Sequence, residues 1–117
     1  MYVCAEKNVT KMIVQMEDDL LELYMTGKSV RYKNISRNRT LLEGFVLAVK
    51  LMERVETVGE LRQISRLHYE QLKYQYSGLS SVRLSNRYVH RLLFEEIEGG
   101  VIVRLIDIDD THYGNKR

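Results

Sequence analysis

Leu41, Leu42, Phe45, Ala48, Val49, Met52 and Val55 recur at three- and four-residue spacing. That spacing draws one broad apolar stripe along an α-helix, and its plain use is core packing. Thr40 and Glu43 have capping-box spacing, while Ser36 or Asn38 offers an earlier start. Upstream, MIVQME (12–17) reads as a short strand. Asp18 or Asp19 can cap a helix through LLELYMT, and Gly27 can end it. GKSVRYKNIS reads as a polar connection, and a second box, Thr57 and Glu60, opens a short helix near VGELRQI. RLHYEQLKYQYSG is tyrosine-rich and irregular. Candidate strands follow at 80–85, 88–97 and 101–108, with Ser85-Asn86 as one turn and Glu98-Gly99-Gly100 as the other. VIVRLIDI is almost wholly apolar, which predicts an interior place in the sheet. The order is strand, helices, then a meander of strands: an α+β domain with helices packed on one sheet face.

Composition narrows the class without changing that picture. The 117 residues suit one domain, and no apolar run approaches the roughly 20 residues of a membrane helix. MYVCAEKNVTK lacks the apolar centre of a signal peptide. Cys4 is the single cysteine, so no internal disulfide is expected and a reducing cytoplasm is the simple reading. Cys4 and three scattered histidines have no metal-ligand spacing, so neither a metal nor another cofactor is expected.

Charge changes the picture more. Net charge is only +2, but it is unevenly placed. The 28–39 stretch carries Lys28, Arg31, Lys33, Arg37 and Arg39 with no acid. The 61–94 stretch carries Arg62, Arg66, Lys73, Arg83, Arg87 and Arg91 against Glu70 alone. From 95 to 110 the sign reverses: Glu95, Glu96, Glu98, Asp107, Asp109 and Asp110 face only Arg104. This asymmetry fits a basic face for an anionic partner. It also fits an acidic strand that neutralises a basic one, with Glu95, Glu96 or Asp107 as cross-strand partners of Arg83, Arg87 and Arg91.

Four stretches come in a recognisable order: MIVQMEDDLLELYMTGK, LHYEQLK, SSVRLSNRYVHRLLFEE and VIVRLIDIDDTHYGNK. Their shared features are a leucine-histidine pair before a leucine-lysine step, an S-V-R-L strand, a turn followed by arginine and apolar residues, and a C-terminal histidine-tyrosine. The ordered set resembles the HigB-like branch of the RelE/ParE toxin superfamily, from type II toxin–antitoxin modules. The resemblance runs from about Met12 to Lys116 and leaves 1–11 as an N-terminal extension. NRYVHRLLF departs from the family pattern: its turn is longer, and His90 stands where an aromatic residue usually precedes the arginine. His90 is read as structural, and the longer turn leaves the strand register open.

The resemblance implies a RelE-like fold, with an N-terminal strand and helices packed on a small, mostly antiparallel four-stranded sheet. It implies ribosome-dependent, metal-independent cleavage of messenger RNA. It also implies an antitoxin partner that often carries a helix-turn-helix DNA-binding domain. Such cleavage uses the neighbouring 2′-hydroxyl as nucleophile, so a base, an acid and cations for the phosphate are needed. On this reading His68, Arg83, Arg91, His112 and Tyr113 are the catalytic set. Histidine titrates near working pH, and arginine grips phosphate oxygens with two prongs. Lys73, Arg87, Lys33 and Arg37 would contact RNA. Two alternatives stay open: a ParE-like inhibitor that acts by protein contacts alone, and an inactive homologue that only binds its antitoxin.

Overall fold

The apolar stripe forms the spine of the fold. In the computed structural model, which describes residues 11–110, helix α3 spans Arg39–Arg54. (The other α-helices among the described residues are α1, Asp18–Thr26; α2, Lys33–Ser36; and α4, Val58–Leu61.) The predicted stripe residues Leu41, Phe45, Ala48, Val49 and Met52 are all buried. Asn38 begins the helix: its side chain accepts a hydrogen bond from the Leu41 N–H at 3.2 Å, so one of the orphan donors of the first turn is satisfied. Thr40 therefore lies inside the helix. Glu43 turns to Arg39 at 3.1 Å instead of closing a box. At the later box, Thr57 makes no side-chain cap, while the Glu60 carboxylate accepts from the Glu56 N–H at 3.1 Å. Gly27 ends α1 as expected, with φ of 78° and its N–H on the Leu23 carbonyl at 2.9 Å. The polar connection before α3 contains the one-turn helix α2, which buries Ile35.

Among the described residues five strands make the sheet: β1 (Ile13–Met16), β2 (Glu70–Gln71), β3 (Ser80–Arg83), β4 (Arg91–Ile97) and β5 (Ile102–Asp109). Their order is β1-β5-β4-β3-β2; β1 runs parallel to β5 and every other pair is antiparallel. The expected four strands become five because Glu70 and Gln71 pair with Ser81 and Ser80. A two-residue strand has no periodicity to detect. VIVRLIDI is interior, as predicted, between β1 and β4. The β3–β4 connection is longer than a Ser85-Asn86 turn. Its last rung is the Leu84 N–H to His90 carbonyl bond at 3.3 Å, and the Ser85 hydroxyl accepts from the Arg87 N–H at 3.0 Å.

One irregularity sorts the faces. Phe94 pairs with Leu105 but Leu93 pairs with Asp107, so Ile106 is an extra residue, a β-bulge in β5. Simple alternation from Val103 and Leu105 would send Asp107 and Asp109 into the core. The bulge reverses parity, and Ile108 is buried in their place. Val82, Leu92 and Ile108 then form one inward row beneath the helices.

The helix layer and the sheet meet backbone to backbone at Gly44. A Cβ there would stand 1.9 Å from the Leu84 carbonyl oxygen and 2.8 Å from its carbonyl carbon. No side-chain rotation relieves a clash with backbone. Gly44→Ala should therefore destabilise the fold by at least about 2 kcal/mol, outweighing the roughly 1 kcal/mol that alanine gains over glycine in a helix. Urea unfolding measures this, and an alanine variant as stable as wild type would refute the close approach.

Candidate nucleic-acid interface

The face of the sheet away from the helices carries a row of charge. Arg83 on β3 lies directly opposite Arg91 on β4, which lies directly opposite Asp109 on β5. Directly paired residues share a face, so the long turn does not separate the two arginines. Facing like charges repel, and each guanidinium is held by a different device. Arg91 is only 16% exposed at its side chain, and its Nη1 donates to the Glu70 carboxylate at 3.2 Å. Arg83 donates from Nη2 to the Tyr88 carbonyl of the following loop at 3.3 Å. It has no ion pair among the described residues, and its Nε is buried without a hydrogen-bond partner. An unmet buried donor costs about 1–3 kcal/mol.

A tyrosine loop borders this row. The Leu72 N–H bonds the Leu79 carbonyl at 2.9 Å and closes the 72–79 segment. Inside it, the Tyr76 hydroxyl reaches Asp109 Oδ1 at 3.4 Å, a long hydrogen bond that ties the loop to the end of the charged row. On the far side of β2, Tyr69 packs against Phe94 with ring centroids 6.2 Å apart. Its hydroxyl meets both Ser80 and Glu96. Glu70 is thus carried on a short strand pinned at both ends.

The other expected site residues scatter. His68 is exposed two positions before Glu70, in the left-handed region with φ of 49°. Lys73 is exposed at the start of the tyrosine loop, and Arg87 is exposed in the β3–β4 connection. Lys33 and Arg37 stand exposed at α2, a separate element. His112 and Tyr113 lie outside the described residues. His90 packs edge-on against Tyr88 at 6.1 Å, with its Nδ1 buried and unpartnered. Two site residues were missed from sequence. Glu70 had a signal, as the lone acid of the basic 61–94 stretch; Tyr76 had none. Among the described residues no group of His, Cys, Asp and Glu side chains is placed to hold a metal ion.

The acidic strand is mostly engaged elsewhere, which corrects the expected cross-strand pairing. Glu95 pairs with Arg104 at 3.1 Å, and Glu96 with Tyr69 and Ser80. Asp107 accepts from the buried Tyr32 hydroxyl at 2.7 Å and lies 3.6 Å from Arg31. Arg91 takes Glu70, which was not among the expected partners. Desolvation by burial, then the bond to Asp107 and its charge, raise the Tyr32 phenol well above its ordinary value of 10.0.

These features define an α+β protein whose solvent-side sheet face presents paired arginines, the carboxylates of Glu70 and Asp109, and a tyrosine loop. No family model matches the chain, and no curated protein matches it in sequence. Solved structures similar to the chain include two toxin–antitoxin complexes. One is a YoeB-YefM complex from Staphylococcus aureus, at 16% identity and a TM-score of 0.47, covering 88% of this chain and 99% of that chain. The other is a heterotetrameric YoeB-YefM toxin-antitoxin complex from the same organism, at 15% identity with the same TM-score and coverage. Likeness at that distance carries no weight for the roles of individual residues.

Tyr32 yields a pH test. A raised folded-state value means the stabilisation is complete below the unfolded value and is lost as pH rises beyond it. Tyr32→Phe should cost about 1 kcal/mol near neutral pH. That difference should shrink as pH climbs past about 10. Urea midpoints across alkaline pH would measure it, and a constant difference would contradict the assigned cause.

Proposed function

We propose that residues 1–117 form one toxin domain of a type II toxin–antitoxin module, of the HigB-like branch, that cleaves messenger RNA on the ribosome in the cytoplasm. The observation that carries this reading is the opposed Arg83–Arg91 pair with the Glu70 carboxylate 3.2 Å from Arg91. The ordered sequence resemblance supports it independently. The two guanidiniums grip the scissile phosphate and stabilise the extra charge that builds on phosphorus. The 2′-oxygen attacks phosphorus as the 5′-oxygen leaves, so the strand ends in a cyclic phosphate and a free 5′-hydroxyl. One group must take the 2′-proton and another must supply a proton to the 5′-oxygen. Glu70 is our choice for the first task, because its carboxylate lies 3.2 Å from Arg91, beside the guanidiniums that would hold the phosphate. His68, His112 and Tyr113 are the choices for the second. Lys73, Arg87, Lys33 and Arg37 steer RNA by charge, which makes binding salt-dependent. Partners on this reading are the ribosome, the messenger and an antitoxin with a helix-turn-helix DNA-binding domain.

Induced expression followed by primer extension on an abundant transcript tests the reading. Wild type should arrest growth and leave codon-phased cuts in translated regions. Arg83→Ala with Arg91→Ala should lower cleavage by at least about 100-fold, and Glu70→Gln by about 100-fold or more, with folding retained. The double variant should also flatten the salt dependence of single-stranded RNA binding by about 1.4 in log–log slope. Arrest with intact transcripts would replace the reading with a ParE-like inhibitor. No arrest would leave an antitoxin-binding homologue.

A further inference from the structure

The charged row explains how a phosphate is held but not how its bases are positioned. Tyr74 is 80% exposed. Single exposed apolar residues are common and mean little alone. Tyr74 differs because its backbone is strained: φ is +60°, a conformation rare for a bulky aromatic residue. Local strain of this kind persists where the surrounding structure over-determines it. Here the Tyr76 N–H bonds the Lys73 carbonyl at 3.2 Å, the Ser77 N–H bonds the Tyr74 carbonyl at 3.0 Å, and the Leu79 N–H bonds the Tyr76 carbonyl at 3.0 Å. The loop is braced, and its ring is left in water. Two residues on, Tyr76 is tied to Asp109 of the arginine row. Two extended residues span at most about 7 Å, so Tyr74 stands close along the loop to the residue that ties it to the row.

A rigid, solvated aromatic face next to paired guanidiniums matches single-stranded RNA. The cations follow the backbone, and the ring takes an unstacked base. We propose that Tyr74 is the stacking platform for a nucleotide adjoining the phosphate held by Arg83 and Arg91, a positioning residue for the substrate. This inference rests on the RNA-cleaving reading of the arginine face.

The test uses the full chain and a short single-stranded RNA, 2′-O-methylated to prevent cleavage, with affinity read by fluorescence anisotropy at fixed salt. Tyr74→Ala should weaken binding about tenfold, and Tyr74→Phe should bind as wild type does. The salt slope should be unchanged in Tyr74→Ala, because stacking releases no counterions. Tyr74→Gly relieves the positive φ; it should unfold at higher urea than wild type and still bind as weakly as alanine, which separates stacking from folding. An RNA abasic at the stacked position should erase the difference between wild type and Tyr74→Ala. If Tyr74→Ala binds as wild type while the arginine double variant does not, the platform is refuted and the RNA reading stands. If wild type binds no RNA, or the arginine variant binds equally well, the RNA reading itself fails and the platform falls with it. A loss in Tyr74→Ala of binding to protein partners alone would likewise overturn the platform.

Discussion

How closely α3 approaches the end of β3 is set by one contact, that of Gly44 with the Leu84 carbonyl. Most helix–sheet packing is side chain against side chain. Here α3 comes so close that a Cβ would stand 1.9 Å from the carbonyl oxygen. The neighbours of that contact inherit its precision. Leu84 is buried, and its N–H closes the last rung to His90. Arg83 and Arg91 sit one residue away on either strand and face each other. The pairing of β3 with β4, next to this contact, sets the two arginines opposite each other.

The bulge at Ile106 supplies the second half of the arrangement. It turns Ile108 inward and Asp107 and Asp109 outward with one extra residue. Asp109 then completes the row beside Arg91, and Asp107 meets Tyr32 and Arg31 at the rim. Without it the strand would bury two carboxylates, at a cost far above what this core could repay. The acidic run is thus compatible with a basic face because its carboxylates are spent on Tyr32, Tyr69, Arg104 and Arg31. Arg83 keeps a buried Nε that nothing among the described residues satisfies.

What was legible in the sequence follows from the range of each signal. The α3 stripe, the Gly27 stop and the Glu98-Gly99-Gly100 turn are local and periodic, and they read correctly. The α+β class followed from their order. Three features were not legible. The strand at Glu70–Gln71 has two residues, too few for any pattern. The opposition of Arg83 and Arg91 depends on a loop whose length exceeded the turn that Ser85-Asn86 suggested. The bond between Tyr32 and Asp107 joins residues 75 apart, with no local trace. Lone opposite charge was the one underused clue: Glu70 interrupts a basic run, and it is the residue the fold hands to Arg91.

Placing that carboxylate on an edge strand has a physical logic. An interior strand would crowd Glu70 between two neighbours and strip it of water, which raises the cost of its charge. At the edge it keeps 48% of its side chain exposed while lying 3.2 Å from Arg91. An edge is normally the least rigid part of a sheet and a hazard for stray pairing. Here it is two residues long, too short to recruit a foreign strand. It is also anchored on both sides: Tyr69 is hydrogen-bonded to Ser80 and Glu96, and Leu72 is bonded to Leu79. Exposure and fixed position usually oppose each other. This edge combines them, because the anchoring is done by the flanking residues and the charged side chain is left to solvent.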